Sequence, residues 1–335
     1  MKTVNVVWFT LGGTIAMAAP ATDDPEGGVV AGLRGADLAA AVPGLRDLGV
    51  TLDVRDALAV GSANLTFADF LDVLDAASRA VTAGAAGVVV TQGTDTLEET
   101  AYLADLLWPH PEPFVLTGAM RNPTLAGADG PANLLAAVRV AAAPEARGLG
   151  AVVVFNDAVH AARWVRKTHS SHPGAFASPD LGPIGQLAED RVHILARPPR
   201  PEPLPTPPDP ARLAATKVAL HTATLDDDGA LLDGLAATHQ GLVVAAFGVG
   251  HVAAPLAPVL GALAERLPVV LTSRTGAGTV LRHTYGGAGS EADLQQRGLI
   301  NGGFLHPYKA RVLLRLLLAA GTPPADLPAA FARHG

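Results

Sequence analysis

The sequence of 335 residues contains no cysteine, and only 4% of its residues are aromatic. The missing cysteine excludes a disulfide framework, a thiolate metal site and a cysteine nucleophile. The chain also lacks an excess of positive charge, because it has 24 basic and 31 acidic residues and a formal net charge of -7. We therefore expect neither nucleic acid nor an anionic membrane surface among its partners.

Long apolar runs are also missing, since none approaches the roughly 18 residues that a membrane-spanning helix needs. Residues 1–16 carry one lysine and then a strand-like alternation, without the apolar core and cleavage site of a secretory signal. These features predict a cytoplasmic location. A hydrophobic share of 49% and a charged share of 16% are typical of a globular protein, and the length predicts about two domains.

Short β-branched runs alternate with alanine-rich and leucine-rich helical stretches, which is typical of βαβ units around a parallel sheet. Thr96 and Glu99 have capping-box spacing, so a helix should begin after Thr96. The loop before it then lies at the carboxyl end of a strand, where open parallel sheets bind ligands. The predicted strands are Val4–Thr10, Gly87–Thr91, Phe114–Thr117, Ala151–Phe155, Lys217–His221, Gly241–Ala246 and Pro268–Leu271.

A composition change divides the chain. Half of residues 196–209 are proline, so we expect no packed element there. The sequence therefore predicts two α/β domains with mainly parallel sheets. The larger N-terminal catalytic domain should span 1–195 and the smaller C-terminal domain 216–335, joined by a Pro-rich linker at 196–215.

Three polar segments could carry chemistry. Gly12 and Gly13 permit a tight turn that leaves the Thr14 hydroxyl at the sheet edge, although an ordinary turn is the better interpretation of these residues alone. A nucleotide-binding turn is an alternative, but the G-x-G-x-x-G pattern is absent. Thr94 and Asp95 follow the strand that ends at residue 91, where they could activate a hydroxyl or merely cap the next helix.

The third segment follows the strand that ends at Phe155 and contains Lys167 among other cations and hydroxyls. A lysine in such a cleft can take part in proton transfer, whereas its ordinary role is that of a solvated surface charge. Nothing in the local sequence decides between the two interpretations.

Together and in this order, these segments resemble bacterial-type L-asparaginases over nearly the whole chain. The pair GGTIA and GTDTLEETA is the most specific part of the resemblance. The matching segments are LGGTIA at 11–16, TQGTDTLEETAYL at 91–103, GAMR at 118–121, ADGPANLL at 128–135, residues 163–170, GVG at 248–250 and KAR at 309–311.

The resemblance implies a role for each matching position. Thr14 would attack the side-chain amide carbonyl and form an acyl-enzyme with release of ammonia. Thr94, Asp95 and Lys167 would hold and activate water and bind the substrate.

Further positions that the resemblance implies would hold the amino-acid end and the amide of the substrate. Ser62 would contact the α-carboxylate, Asp95 the α-ammonium, and the backbone at Ala119 would lie beside the leaving amide. Glu291 would come from a neighbouring subunit. The resemblance therefore also implies a homotetramer, built as a dimer of dimers.

The chain departs from the family pattern at several places, among them the loop after Thr14 and the position of His251. The family usually carries a tyrosine in the loop after the first threonine, but residues 17–37 contain none. The acidic residues Asp23, Asp24 and Glu26 are candidate substitutes, although a solvated loop is the simpler interpretation. His251 stands where many members have asparagine, as either a substrate contact or a polar loop residue.

Two histidines, His169 and His172, have H-x-x-H spacing but no third ligand in a recognisable pattern, and the acidic turn 226–229 lacks a full calcium-loop pattern. We predict no metal and no organic cofactor.

The sequence thus predicts an amidohydrolase that converts L-asparagine and water to L-aspartate and ammonia. A glutaminase-asparaginase is an alternative, because L-glutamine is longer than L-asparagine by only one methylene and the sequence does not distinguish the two substrates. A non-catalytic amino-acid-binding sensor is a third possibility, favoured only by the missing tyrosine. An aminoacyl-tRNA amidotransferase subunit is disfavoured by the acidic balance of the chain.

Overall fold

Residues 4–18, 30–205 and 209–335 are described by a computed structural model of the chain. The chain divides into two units, Met1–Pro203 and Leu204–Gly335. Both units are α/β, and the first is the larger one, as the sequence predicts.

The elements of the first unit follow the predicted alternation. Its helices are α1 (Gly35–Ala40), α2 (Phe67–Thr82), α3 (Leu97–Leu107) and α4 (Gly130–Ala142). Its strands are β1 (Val4–Thr10), β2 (Met17–Ala18), β3 (Val30–Ala31), β4 (Val50–Asp56), β5 (Gly87–Thr91), β6 (Phe114–Thr117), β7 (Ala151–Phe155), β8 (Ala158–Ala161), β9 (Arg166–Lys167), β10 (Phe176–Ala177), β11 (Gly185–Ala188) and β12 (Arg191–Ile194).

The large sheet of the first unit has the strand order β12-β11-β8-β7-β6-β5-β1-β4 among the described residues. Strands β4, β1, β5, β6 and β7 are parallel, whereas β8, β11 and β12 continue the sheet in antiparallel pairing. The chain moves from β1 to β4 on one side and then to β5 on the other. A topological switch point therefore lies between β1 and β5, where open α/β sheets bind their ligands.

The central strands are apolar because both faces of a parallel sheet are covered. Every residue of β5, β6 and β7 is buried. On one side of the sheet, α4 packs against these strands through residues such as Leu134 and Val138, which are at most 1% exposed. Helix α2 begins with a capping box, in which Thr66 and Asp69 bond each other's backbone N–H groups.

The second unit is a smaller α/β layer. Its sheet has the order β13-β14-β15-β16, parallel throughout, and its core includes Leu242, Leu260 and Leu271. The strands are β13 (Val218–Thr222), β14 (Gly241–Ala246), β15 (Val269–Ser273) and β16 (Ile300–Asn301). The helices are α5 (Pro210–Ala215), α6 (Leu235–Thr238), α7 (Leu256–Ala264), α8 (Glu291–Gln296), α9 (Pro307–Ala319) and α10 (Leu327–His334).

The segment predicted as a linker, 196–215, contains the division between the units. It is more structured than its proline content suggests. Helix α5 occupies its last six residues, with proline at the first helical position and the Asp209 side chain accepting from Ala211 N–H. Before the division, Arg200 donates hydrogen bonds to the Asp105 carboxylate and to the carbonyl oxygens of Asp105 and Trp108.

None of the helices in the described part of the chain combines the length and the apolar character needed to cross a membrane.

Candidate active site

The loops that follow β1 and β5 meet at the switch point. Gly12 and Gly13 have φ angles of 95° and 85°, which favour glycine. A Cβ built on Gly13 would lie 2.2 Å from the backbone nitrogen of Gly93, so the two loops touch through their backbones. Thr14 and Thr94 each come directly after one of these touching glycines. The two predicted hydroxyls are thereby carried on adjoining loops.

A three-residue polar cluster follows β5. The Lys167 ammonium donates to Thr94 Oγ1 at 2.9 Å and to Asp95 Oδ1 at 2.7 Å. Thr94 is 6% exposed, whereas the Asp95 side chain is 69% exposed, so the pair offers one enclosed hydroxyl and one open carboxylate. Lys167 lies on the short strand β9, 73 positions from Thr94 along the chain. The predicted association of Thr94, Asp95 and Lys167 is therefore present in the structure.

Ser62 lies against the same loop. Its hydroxyl accepts a hydrogen bond from Asp95 N–H at 3.1 Å, and a Cβ on Gly93 would lie 2.7 Å from Ser62 Oγ. The Thr96 hydroxyl donates to the Ser62 carbonyl oxygen at 3.0 Å. Thr96 does precede helix α3, but its side chain makes no capping bond. The predicted Thr96–Glu99 capping box is therefore wrong, because the hydroxyl is used to hold the 62–64 turn.

The loop after β6 carries Ala119 to the same sheet edge. A Cβ on Gly118 would lie 2.5 Å from the Gln92 carbonyl oxygen and 3.4 Å from Thr94 Cγ2. This loop is held from α4, whose Asp129 carboxylate accepts from the N–H groups of Met120 and Arg121. Ala119 thus lies in the first unit beside the loop that carries Thr94.

Thr14 is partly buried in a short 3₁₀ turn, Thr14–Ala16. Within the described residues, no hydrogen bond to its hydroxyl is present. The candidate substitutes for the family tyrosine, Asp23, Asp24 and Glu26, lie outside the described residues.

Glu291 lies in the second unit at the start of α8 and is fully buried. Its Oε1 accepts from Thr284 N–H and Tyr285 N–H, both at 2.8 Å, and its Oε2 contacts His251 Nε2 at 3.0 Å. Burial raises the pKa of this carboxyl, but these hydrogen bonds outweigh burial and hold the pKa below its ordinary value. The ring of Tyr285 stands edge-on to His251 with centroids 4.9 Å apart.

His251 and Glu291, which the sequence analysis considered separately, therefore form one cluster. The imidazole is about one-third exposed, whereas the carboxylate is enclosed by its own unit.

The described part of the chain holds no cluster of three or more histidine, aspartate or glutamate side chains suited to a metal ion. His169 instead accepts from the N–H groups of Ser171 and His172. In the acidic turn 226–229, Asp227 contacts His221 at 2.7 Å.

Two residues of the segment 128–135 contact the site's loops but have no predicted role. Asp129 and Asn133 bind the loop of Ala119 from the first turn of α4. An aspartate directly before Gly-Pro at a helix start was the available signal, but that pattern predicts a cap rather than a contact with the preceding loop.

Fold and site together define a two-domain α/β protein with a hydroxyl, ammonium and carboxylate cluster at the switch point of its larger sheet. Residues 5–200 match the family model described as "Asparaginase, N-terminal", and residues 217–331 match "Glutaminase/Asparaginase C-terminal domain". The chain belongs to the asparaginase family.

Individual relatives agree with this assignment. The chain is 42% identical to a "Probable L-asparaginase" of Deinococcus radiodurans over 73% of this chain and 74% of the relative. It is 33% identical to an "L-asparaginase" of Bacillus licheniformis over 94% and 96%. A crystal structure of a "Probable Cytoplasmic L-asparaginase" from Campylobacter jejuni superposes with a TM-score of 0.84 at 31% identity, covering 98% of this chain and 99% of that one.

Proposed function

We propose that the protein is an L-asparaginase that hydrolyses L-asparagine to L-aspartate and ammonia. The observation that carries the proposal is the contact of the Lys167 ammonium with both Thr94 and Asp95, on a loop whose glycine touches the glycine before Thr14. The names of the relatives supply the substrate. Nothing in the described part of the chain favours the sensor, since a binding protein has no need of a lysine-contacted hydroxyl.

Hydrolysis would proceed in two stages. The Thr14 hydroxyl attacks the side-chain carbonyl carbon, the C–N bond breaks, and the proton that Thr14 loses passes to the nitrogen, which leaves as ammonia. Water then attacks the acyl-Thr14 ester and L-aspartate is released. When water attacks, one of its protons passes by way of the Thr94 hydroxyl to the Thr14 oxygen that leaves, and Lys167 stabilises the negative charge that develops on Thr94 Oγ1.

The free amino-acid end of the substrate would be recognised by opposite charge and by hydroxyl donors. Asp95 has an open carboxylate for the α-ammonium, and the adjoining Ser62 has a hydroxyl for the α-carboxylate. Ala119 contributes backbone groups beside the amide. No cofactor is part of this scheme.

The first test is release of ammonia from L-asparagine, L-glutamine and D-asparagine by the wild type, Thr14→Ala and Thr94→Ala. We expect turnover of L-asparagine, with a loss of about 100-fold or more in each variant. Thr51→Ala removes an exposed hydroxyl from β4 and serves as the matched control. A folded wild type that binds L-asparagine in a calorimeter without releasing ammonia would contradict the proposal and favour the sensor.

We also propose a cytoplasmic homotetramer, assembled as a dimer of dimers, in which Glu291 serves a neighbouring subunit's site through His251, the partly exposed side chain that it contacts. The name of the Campylobacter jejuni relative supports the location, and the family resemblance supports the assembly. Light scattering should give four times the chain mass of 34.0 kDa. Exchange of subunits between Thr14→Ala and Glu291→Ala should restore some turnover, and hybrids without activity would exclude the shared site.

A further inference from the structure

Ala119 presents two backbone groups that the described residues leave unpaired. The residue is 1% exposed, yet no hydrogen bond joins its N–H or its C=O to another described residue. Buried backbone groups are nearly always paired. Because the preceding residue, Gly118, packs against Thr94, these two groups lie next to the candidate site.

The two peptide groups that flank Ala119 are each fixed from outside the loop. Asn133 Nδ2 donates to the carbonyl oxygen of Gly118 at 3.1 Å, and the Asp129 carboxylate accepts from Met120 N–H at 3.0 and 3.1 Å. In a trans peptide group the N–H and the C=O point in opposite directions. The N–H of Ala119 therefore points away from Asn133, and its C=O points away from Asp129.

The two fixing side chains are themselves tightly placed. Asp129 occupies the N-cap position of α4, where aspartate normally accepts from the helix, but its side chain makes no capping bond. Asn133 is 3% exposed, and its Oδ1 accepts from Asn156 N–H at 3.0 Å. This bond directs the amide Nδ2 toward Gly118 and toward Asp129 Oδ2, 3.1 Å away. Helix α4 thus lacks a side-chain cap at its N-terminus, and the Asp129 carboxylate binds the loop after β6 instead.

We propose that Asp129 and Asn133 are positioning residues that direct the Ala119 carbonyl toward the nitrogen of the substrate's leaving amide. The inference rests on the proposed function. An amide nitrogen, and still more a departing ammonia, carries N–H donors for a carbonyl acceptor. An ester oxygen carries none and would face the carbonyl with its lone pairs. The pair therefore selects for amides over esters of the same acid, by interactions that strengthen as the C–N bond breaks.

The test compares two substrates with the same product, L-asparagine and the β-methyl ester of L-aspartate. Formation of L-aspartate is measured for the full-length wild type, Asp129→Asn and Asn133→Ser. We expect kcat/KM for L-asparagine to fall about tenfold in both variants, chiefly through kcat, and kcat/KM for the ester to change less than about twofold. Asp72→Asn, an equal charge change at an exposed position of α2, should alter neither value.

The outcomes separate the inference from the proposed function. Equal losses on both substrates in a folded variant would assign Asp129 and Asn133 a structural role only and overturn the inference. Unchanged values for both substrates would overturn it as well. A folded wild type that forms no L-aspartate from L-asparagine would instead overturn the proposed function, and the inference with it. Asn133→Ser leaves the chain's charge intact, so it decides the matter if Asp129→Asn fails to fold.

Discussion

Gly13 combines a φ angle of 85° with a backbone contact that excludes any side chain. Only the first of these properties is shared with Gly44, which has a φ angle of 75° but nothing within 4 Å of a Cβ. Alanine substitutions at the two glycines therefore separate two contributions to the loss of stability: the strained backbone conformation and the steric clash of the added Cβ. At Gly13 that space belongs to the backbone of Gly93 and cannot be provided by a rotamer change.

We expect Gly13→Ala to lower the free energy of unfolding by more than about 2 kcal/mol, and Gly44→Ala by about 1 kcal/mol. Urea denaturation followed by circular dichroism gives both values. Gly61→Ala, with φ of -67° and open space around its Cβ, serves as the control and should change little. Equal losses at Gly13 and Gly44 would show that the backbone contact with Gly93 does not limit side-chain size.

At the residue scale, the sequence predicted the chemical groups of the site but not the side chains that hold them in place. The family resemblance placed Thr94, Asp95 and Lys167 together, and the structure brings them within hydrogen-bond distance. The carboxylate of Asp129 was out of reach of such reasoning, because a bond to Met120 N–H depends on how a loop folds back onto a helix. The pairing of His251 with Glu291 joins positions 40 apart and has no local signal.

At the element scale, strands that are buried on both faces were the most predictable. The expected ranges of β1, β5, β6, β7 and β14 agree with the structure, because each is a largely apolar run between turn residues. Strand β4 was missed because Val50–Asp56 lies at the sheet edge and mixes exposed polar side chains with half-buried ones. The antiparallel strands β11 and β12 were missed because they too mix exposed residues with buried or half-buried ones.

The threonines that precede α2 and α3 have different roles. Thr66 makes a capping bond in α2, whereas Thr96 before α3 makes none. We expect Thr66→Ala to lower the free energy of unfolding by about 1 kcal/mol through loss of the cap. Thr96→Ala should instead weaken the hold on the Ser62 turn, so that KM for L-asparagine rises.

Urea denaturation and steady-state kinetics of both variants separate the two roles. A rise in KM from Thr66→Ala, or none from Thr96→Ala, would contradict the assignment. Thr51→Ala again provides the control for loss of an exposed threonine.

For the whole molecule, several carboxyls make stability depend on pH in one direction. Hydrogen bonds hold the pKa values of four described carboxyls below their ordinary values, and at Glu291 and Asp227 they outweigh burial, which is the largest single influence on the pKa there. In the unfolded chain a glutamate has its ordinary pKa of 4.5, so as pH falls the unfolded state binds protons first. The stabilisation is therefore complete at neutral pH and is lost as pH falls through and below that value. The four carboxyls are Asp56, Asp227, Glu291 and Asp293.

We expect Glu291→Gln to flatten this dependence, since the amide cannot take up a proton in this range. Urea midpoints measured from neutral pH down to about pH 4 should fall less steeply for the variant than for the wild type. Asp72→Asn, the same acid-to-amide change at an exposed position of α2, serves as the control. A variant slope equal to that of the wild type would show that Glu291 is not a source of the acid sensitivity.

The order of strands in the second sheet has a consequence for how the chain acquires its structure. In β13-β14-β15-β16 each strand pairs with the next one in the chain, as Val218 does with Gly241. In the first sheet, β1 pairs with a strand that is distant in the sequence, since Val6 pairs with Gly87. Contacts between nearby segments close smaller loops and form faster. The C-terminal sheet can therefore form by adding one strand at a time along the chain. The site around Thr14, in contrast, forms only after β5 has paired with β1.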